Sequence, residues 1–163
     1  MGSDMFTPQA LRQIIRLSLQ PITATSHPFW TPDAEEILLM IAAHESQLGK
    51  YIVQIGGGPA RGVYQIEPET MQDNYDNFLN ARPELKKQFA TVSGYDGPDV
   101  DQLTDNPIYG TLHARLKIYR SPGAIPHDLP AMAEYAKAVF NSAGGSATAK
   151  EYLDDYYRLV FGK

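Results

Sequence analysis

Apolar residues recur at a helical spacing along almost the whole chain. The clearest stripe follows Thr31 and Pro32, which fit an N-cap and a first helical residue, and it occupies positions 34, 37, 38, 41 and 42. Further segments with this spacing begin near positions 8, 68, 83, 107, 129 and 146. The pattern predicts a mainly α fold. It shows no pair of long alternating strands and leaves room for one small β-hairpin between 51–55 and 63–66.

Length and hydropathy favour a single domain over residues 1–163. A chain of 163 residues can bury one core of useful size. No apolar run reaches the ~20 residues that span a bilayer, so we expect no membrane insertion. The chain opens without a charged-then-apolar export signal.

Charge and composition exclude several classes of function. The net charge of -5 and the lack of a basic cluster argue against nucleic-acid binding. Because the chain has no cysteine, a disulfide framework and a thiolate zinc site are excluded. The histidines are scattered without paired ligand spacing, and the glycine-rich stretch 56–62 lacks the lysine that ends a phosphate-binding loop. We therefore expect no metal and no cofactor.

Glu45 stands where an apolar residue would continue the stripe of the second helix. It follows Ile41 by four positions, so the spacing directs it along the apolar side rather than toward water. Desolvation and the partial negative charge at a helix C-terminus both raise the pKa of a carboxyl group. A protonated carboxyl in a cleft is what cleavage of a glycosidic bond requires. For this residue alone, a solvated glutamate at a frayed helix end remains the alternative.

Four motifs in a fixed order resemble the soluble lytic transglycosylase and goose-type lysozyme superfamily. They are a Glu-Ser pair at a helix end (45–46), GVYQIEPET (62–70), DNPIYGTLHARLKIY (105–119) and AVFNSAGGSATAKEYLDDY (138–156). The resemblance covers roughly residues 34–157. It implies a lysozyme-like single domain of about seven or eight helices.

The resemblance implies an enzyme that cleaves the β-1,4 bond between N-acetylmuramic acid and N-acetylglucosamine in bacterial peptidoglycan. Glu45 would protonate the linking oxygen as general acid, and would then deprotonate the C6 hydroxyl, which closes a 1,6-anhydro ring. Such a lytic transglycosylase needs one carboxyl group, because the nucleophile belongs to the substrate. A lysozyme-like hydrolase would use a second acid to activate water, and Glu67, Glu69 and Asp73 are near in sequence.

The resemblance also assigns a set of substrate-binding residues, which are Gln65, Tyr64, Ser46, Gly62, Asn141 and Phe140. For Gln65 the alternative is an amide that ties the loop to the helix, and for Tyr64 it is a place in the core. Ser46 is expected chiefly to organise the helix end. Gly62 allows a close approach or an unusual backbone angle.

Phe140 is the main departure from the family pattern. It stands where the family has a tyrosine whose hydroxyl reaches the catalytic glutamate, so the ring is kept and that hydrogen bond is lost. Tyr135 or Tyr64 could supply the missing hydroxyl. The departure also keeps open a different class of function, a non-catalytic peptidoglycan-binding module or a structural part of a virion.

The expected partner is the glycan strand of peptidoglycan, bound by a monomer through contacts in the cleft. The style of the stretch 54–70 resembles phage-encoded members of the superfamily. A phage enzyme without an export signal would act on the cell wall in the periplasm after release from the host cytoplasm, or after delivery with a virion.

Overall fold

The computed structural model describes residues 5–54, 56–140 and 147–162, and these form eight α-helices and one 3₁₀ turn. In chain order the helices are α1 (Pro8–Leu19), α2 (Pro32–Ser46), α3 (Pro68–Asn77), α4 (Pro83–Ser93), α5 (Val100–Asp105), α6 (Pro107–Tyr119), α7 (Leu129–Phe140) and α8 (Ala149–Leu159), with the 3₁₀ turn Leu79–Ala81 between α3 and α4. The prediction of a mainly α fold with about eight helices is confirmed. None of the described helices is long and apolar enough to cross a membrane.

Side-chain caps fix the starts of several helices. Thr7, Thr31 and Asn106 each precede a helix that opens with proline, and each side chain accepts a hydrogen bond from the backbone N–H three residues later. The cap supplies a partner for an otherwise unpaired donor, and the missing N–H of proline costs nothing at that position. These three predicted starts are confirmed.

Two parts of the helix pattern differ from the sequence prediction or lie outside what the structure describes. The sequence does not predict α5, because its six residues are too few to give a periodic signal; Asp99 caps it. The predicted start of the last helix at Ser146 lies outside the described residues. Among the residues that the structure describes, Thr148 caps α8.

The helices α2 and α6 form the centre of the molecule. The first packs against α1, α6, α7 and α8, and the second also contacts α3, α4 and α5. The sequence suggests one apolar stripe on α2, yet Leu39, Met40 and Ala43 outside that stripe are also fully buried. A helix enclosed on all sides is apolar all round, so its sequence carries little amphipathic signal. The end of α2 is therefore held firmly by the core.

The small β-hairpin allowed by the sequence does not form in the expected pairing. Instead, Arg61 makes isolated antiparallel bridges to both Val53 and Ile66. The bridge to Ile66 contains two backbone hydrogen bonds of 3.0 Å. Residue 55, part of the predicted first strand, lies outside the described residues. The chain between α2 and α3 is thus a folded loop with minimal strand pairing.

Gly62 lets this loop approach α5 closely. Its φ is +85°, and a Cβ atom at this position would lie 2.0 Å from the carbonyl oxygen of Leu103. Its N–H also donates a 2.7 Å hydrogen bond to the carbonyl of Ile52. Both expectations for Gly62, a close approach and an unusual backbone angle, are confirmed.

We expect Gly62→Ala to destabilise the fold more than an ordinary left-handed glycine substitution does. Gly94 is the matched control, since its φ is +74° and a Cβ atom there would meet nothing within 4 Å. Gly94→Ala should lower the free energy of unfolding by about 1–2 kcal/mol, and Gly62→Ala by more than about 3 kcal/mol. Chemical denaturation of both variants measures the difference. Equal losses would contradict the close packing of Gly62 on Leu103.

Candidate active site

A cleft lies where the ends of α2 and α7 meet the loop before α3. Its volume is about 230 Å³. The residues that line it are Glu45, Tyr51, Gln54, Ala60, Gln65, Glu67 and Phe140. The structure therefore brings together four of the residues singled out from the sequence: Glu45, Gln65, Glu67 and Phe140. We call this space the Glu45 cleft.

Tyr152 on α8 holds the carboxyl group of Glu45. Its hydroxyl donates a 2.8 Å hydrogen bond to Glu45 Oε2 across a separation of 107 positions. The ring of Tyr152 lies against His44, with 4.0 Å between ring centroids. His44 is in turn within 2.9 Å of Asp155 through its Nδ1 atom. Tyr152 is thus held both at its hydroxyl and along its ring.

Burial dominates the ionisation of Glu45. It raises the pKa of this carboxyl above the ordinary value, because the ionised form loses solvation. The hydrogen bond from Tyr152 favours the carboxylate and opposes part of that rise. The nearby charges of His44 and Lys117 act in the same direction as Tyr152. The net effect is a raised pKa, as the position of Glu45 in the sequence predicts.

Lys117 on α6 places a positive charge near the cleft. Its Nζ atom lies 4.6 Å from the centre of the Phe140 ring, a cation–π arrangement. Burial lowers the pKa of Lys117, while the charges of Glu67 and Glu45 oppose this shift. Phe140 therefore forms part of the cleft wall and also covers a cation. Nothing in the hydrophobic pattern of α6 marks Lys117 as a site residue.

Gln65 reaches the cleft from a turn with left-handed backbone geometry. Its φ is 50°, and its N–H closes the turn on the Gly62 carbonyl at 3.1 Å. Its side-chain nitrogen donates to the carbonyls of Gly62 at 2.9 Å and Tyr51 at 3.3 Å. Its side-chain oxygen has no hydrogen bond within the described residues, so that oxygen can accept one from a ligand. Gln65 thus ties the loop and lines the cleft at once.

Tyr64 does not line the cleft, which corrects its assignment as a substrate contact. It is 1% exposed, and its hydroxyl lies 2.9 Å from Thr111 Oγ1 in the core. Burial raises the pKa of this phenol well above its usual range. Tyr64 therefore supports the loop from beneath.

Ser46 and Gly62 also have structural positions in place of the predicted ligand contacts. The buried hydroxyl of Ser46 donates to the carbonyl of Val63 and accepts a 2.8 Å bond from the N–H of Gly49. These bonds join the end of α2 to the loop, as expected for a residue that organises the helix end. Gly62 is buried against Leu103. The remaining predicted contact, Asn141, lies outside the described residues.

Neither tyrosine suggested as a replacement for the hydroxyl missing at Phe140 reaches Glu45. Tyr64 bonds to Thr111, and the hydroxyl of Tyr135 lies 3.3 Å from the Gly123 carbonyl. Tyr152 supplies the bond instead. The helical spacing of the last segment places Tyr152 on its inward face, which indicates burial but not the residue that Tyr152 contacts.

A second depression, which we call the outer groove, shares Glu67 with the Glu45 cleft. Its volume is about 370 Å³. It is lined by Glu67, Glu69, Thr70, Asp73, Asn74, Lys117, Arg120 and Ser121. Of the three acids considered as a second carboxylate, only Glu67 also lines the Glu45 cleft, whereas Glu69 and Asp73 are exposed in the outer groove.

The donor set of the site does not suggest a metal centre. Within the described residues there is no group of three or more histidine, aspartate or glutamate side chains that could hold a metal ion.

Comparison of the chain with models of protein families, with curated proteins and with solved structures gives no match. Function is therefore inferred from the geometry of this site.

We expect Tyr152→Phe to raise the pKa of Glu45 further. The hydroxyl stabilises the carboxylate, so its removal favours the protonated form. The carboxyl carbon resonance of Glu45, assigned with a Glu45→Gln variant, can be followed by NMR through a pH titration. In the parent protein the titration midpoint of Glu45 should lie above that of an ordinary glutamate. In Tyr152→Phe the midpoint should be higher still.

Tyr156→Phe is the matched control for this titration. Tyr156 lies on the same helix and donates its hydroxyl to Glu36, away from the cleft. This variant should leave the midpoint of Glu45 unchanged. A midpoint that stays constant or falls in Tyr152→Phe would contradict the role assigned to the hydroxyl.

Proposed function

We propose that this protein cleaves the β-1,4 bond between N-acetylmuramic acid and N-acetylglucosamine in peptidoglycan, as a lytic transglycosylase. The observation that carries the proposal is the carboxyl group of Glu45, which is half-buried in a cleft and has a raised pKa. A group of this kind is protonated at higher pH than a solvated glutamate and can act as a general acid.

The reaction needs only one carboxyl group. Glu45 gives its proton to the glycosidic oxygen, the bond from that oxygen to the anomeric carbon breaks, and an oxocarbenium-like state forms. The resulting carboxylate then takes the proton of the sugar's C6 hydroxyl, whose oxygen bonds to the anomeric carbon. This closes the 1,6-anhydro ring and returns the proton to Glu45.

The contacts of Glu45 suit both halves of this cycle. Burial favours the protonated acid that starts the reaction, and the hydrogen bond from Tyr152 stabilises the carboxylate that follows. Because Tyr152 occupies Oε2, the other oxygen of Glu45 is the one available to a substrate. The side-chain oxygen of Gln65, which has no hydrogen bond to any described residue, can accept one from an amide or hydroxyl group of the sugar.

A hydrolase acting on the same bond is the second candidate, and Glu67 favours it. This residue lines both the Glu45 cleft and the outer groove. A second carboxylate in the cleft could activate a water molecule. The alternative of a non-catalytic binding or structural module depends on the loss of a tyrosine hydroxyl at Phe140. Because Tyr152 donates a hydrogen bond to Glu45 instead, that alternative has less support.

Glu45→Gln tests the catalytic role. We expect clearing of purified peptidoglycan in a zymogram to fall by about 10²–10⁴-fold, because the amide cannot donate a proton to the leaving oxygen. Glu69→Gln is the control, since Glu69 is exposed in the first turn of α3 and should keep full activity. Activity retained by Glu45→Gln would place the acid elsewhere.

Folding of Glu45→Gln can be checked by its stability at two pH values. A carboxyl with a raised pKa contributes stability below its unfolded-state pKa and loses it as the pH rises through the folded-state pKa. The amide introduced by Glu45→Gln does not ionise, so the free energy of unfolding of the variant should be at least as large as that of the parent at neutral pH. In acid, where the carboxyl of the parent is protonated, this difference in the free energy of unfolding should disappear.

Glu67→Gln, with mass spectrometry of the products, separates the two reactions. A transglycosylase releases anhydro-muramic ends, which are lighter than hydrolytic ends by one water, and should not need the carboxylate of Glu67. We expect anhydro products from both the parent and this variant. Hydrolytic ends, lost in Glu67→Gln, would instead establish the hydrolase.

A further inference from the structure

Arg115 on α6 lies almost fully buried in the wall of a cavity separate from the Glu45 cleft. The residue is 5% exposed, and the cavity has a volume of about 480 Å³. None of the residues that line this cavity lines the Glu45 cleft. Nothing in the proposed reaction uses Arg115. We call this cavity the Arg115 pocket.

Backbone carbonyls and aromatic rings fix the orientation of the guanidinium group. Its Nε atom donates a 2.6 Å hydrogen bond to the carbonyl of Phe29, and its Nη2 atom lies 3.4 Å from the carbonyl of Pro28. The guanidinium carbon is 5.3 Å from the centre of the Phe29 ring and 5.6 Å from that of Tyr119. The Nη1 atom has no hydrogen bond within the described residues. A donor group is therefore preoriented and available.

No acidic side chain of the described chain neutralises Arg115. It takes part in none of the ion pairs found there. Asp33 also lines the pocket, but its Oδ1 atom is 2.8 Å from His127 Nδ1. Burial lowers the pKa of Arg115 to about 10, so it remains a cation at neutral pH. A buried cation without a counter-charge is costly, and an anion that binds beside it recovers part of that cost.

The other walls of the pocket are largely apolar or aromatic. They include Pro28, Ile118, Ala124, Ile125 and Tyr135. The volume falls in the range of small-molecule sites, where apolar walls and a few oriented polar groups are usual. One cation near an acid suits a ligand with a single negative charge better than a dianion such as phosphate. The planar fork of arginine also matches a carboxylate.

We propose that the Arg115 pocket binds a small organic carboxylate, whose charged group pairs with Arg115 and whose apolar body packs on Ile118 and Ile125. The ligand can be a free carboxylic acid or the C-terminal carboxylate of a peptide, since both present the same group. The site does not depend on the proposed glycan cleavage.

NMR titration of the isotope-labelled full chain tests the proposal. The probes are isobutyrate, its neutral isostere isobutyramide, N-acetylalanine as a peptide C-terminus, and inorganic phosphate. We expect saturable shifts for the carboxylates at the Arg115 Nε–H group and at the backbone amides of Ile118 and Ile125. Isobutyramide and phosphate should bind at least about tenfold more weakly. Tighter binding of isobutyrate would favour a free carboxylic acid as the ligand, and tighter binding of N-acetylalanine would favour a peptide C-terminus.

Two variants locate the binding without removing a buried residue. Ala124 is exposed on the rim of the pocket, so Ala124→Trp should fill the entrance and lower carboxylate affinity at least about tenfold. Ala81→Trp changes an exposed alanine that does not line the pocket and should bind as the parent does. A third variant, Arg115→Lys, changes the buried residue itself. It keeps the charge but loses the planar fork of the guanidinium group, and should also weaken binding.

Three results would overturn the proposal. One is the same response to isobutyrate and isobutyramide, which would show that the charge is not recognised. Another is carboxylate binding that Ala124→Trp leaves intact. The third is the absence of any saturable shift in the pocket, which would leave Arg115 as an anchor for the carbonyls of Phe29 and Pro28.

Discussion

Burial of α2 on every side determines how far Glu45 can move away from the core. From Ile37 to Ala43 each residue is fully buried, so the helix cannot rotate to turn its last residues toward water. Each large apolar side chain in that run contributes about 1.5–3 kcal/mol of burial. Fuller solvation of the Glu45 carboxylate would gain less free energy than exposing these side chains would lose. The fold therefore holds Glu45 at the boundary of the core, where its ionisation depends on the partners that the chain supplies.

The backbone around the cleft carries unusual geometry that the core sustains. Gln47, Leu48 and Gln65 are the non-glycine residues with positive φ in the described chain, and two of them directly follow the end of α2. A left-handed residue of this kind costs about 1–2 kcal/mol. Leu48 is fully buried, and its carbonyl accepts a 2.7 Å hydrogen bond from the N–H of Phe6. Residues held in such conformations cluster at binding and active sites, and Gln65 is the one of the three that lines the Glu45 cleft.

Local signals predict much of this structure, because they act over a few residues. Threonine and asparagine caps followed by proline locate the helix starts, and the i to i+4 spacing places Glu45 beside the core. Tyr152 could not be found in this way, because its bond to Glu45 spans 107 positions and depends on how α8 packs against α2. Tyr64 shows a different limit of sequence-based prediction. An aromatic residue beside a motif can lie in a cleft or in the core, and the sequence does not decide between the two.

Two cations of α6, the buried Arg115 and the half-buried Lys117, show how the chain balances charge differently on two sides of one helix. Lys117 and Arg115 are two positions apart, so they point in different directions around the helix axis. The charges of Glu67 and Glu45 favour the cationic form of Lys117, so the cleft contains its own counter-charges. Arg115 has carbonyl oxygens and aromatic rings instead, which orient the guanidinium group but carry no net charge. A neutral orienting shell keeps the cation attractive to an incoming anion, whereas the acids beside Lys117 reduce that attraction.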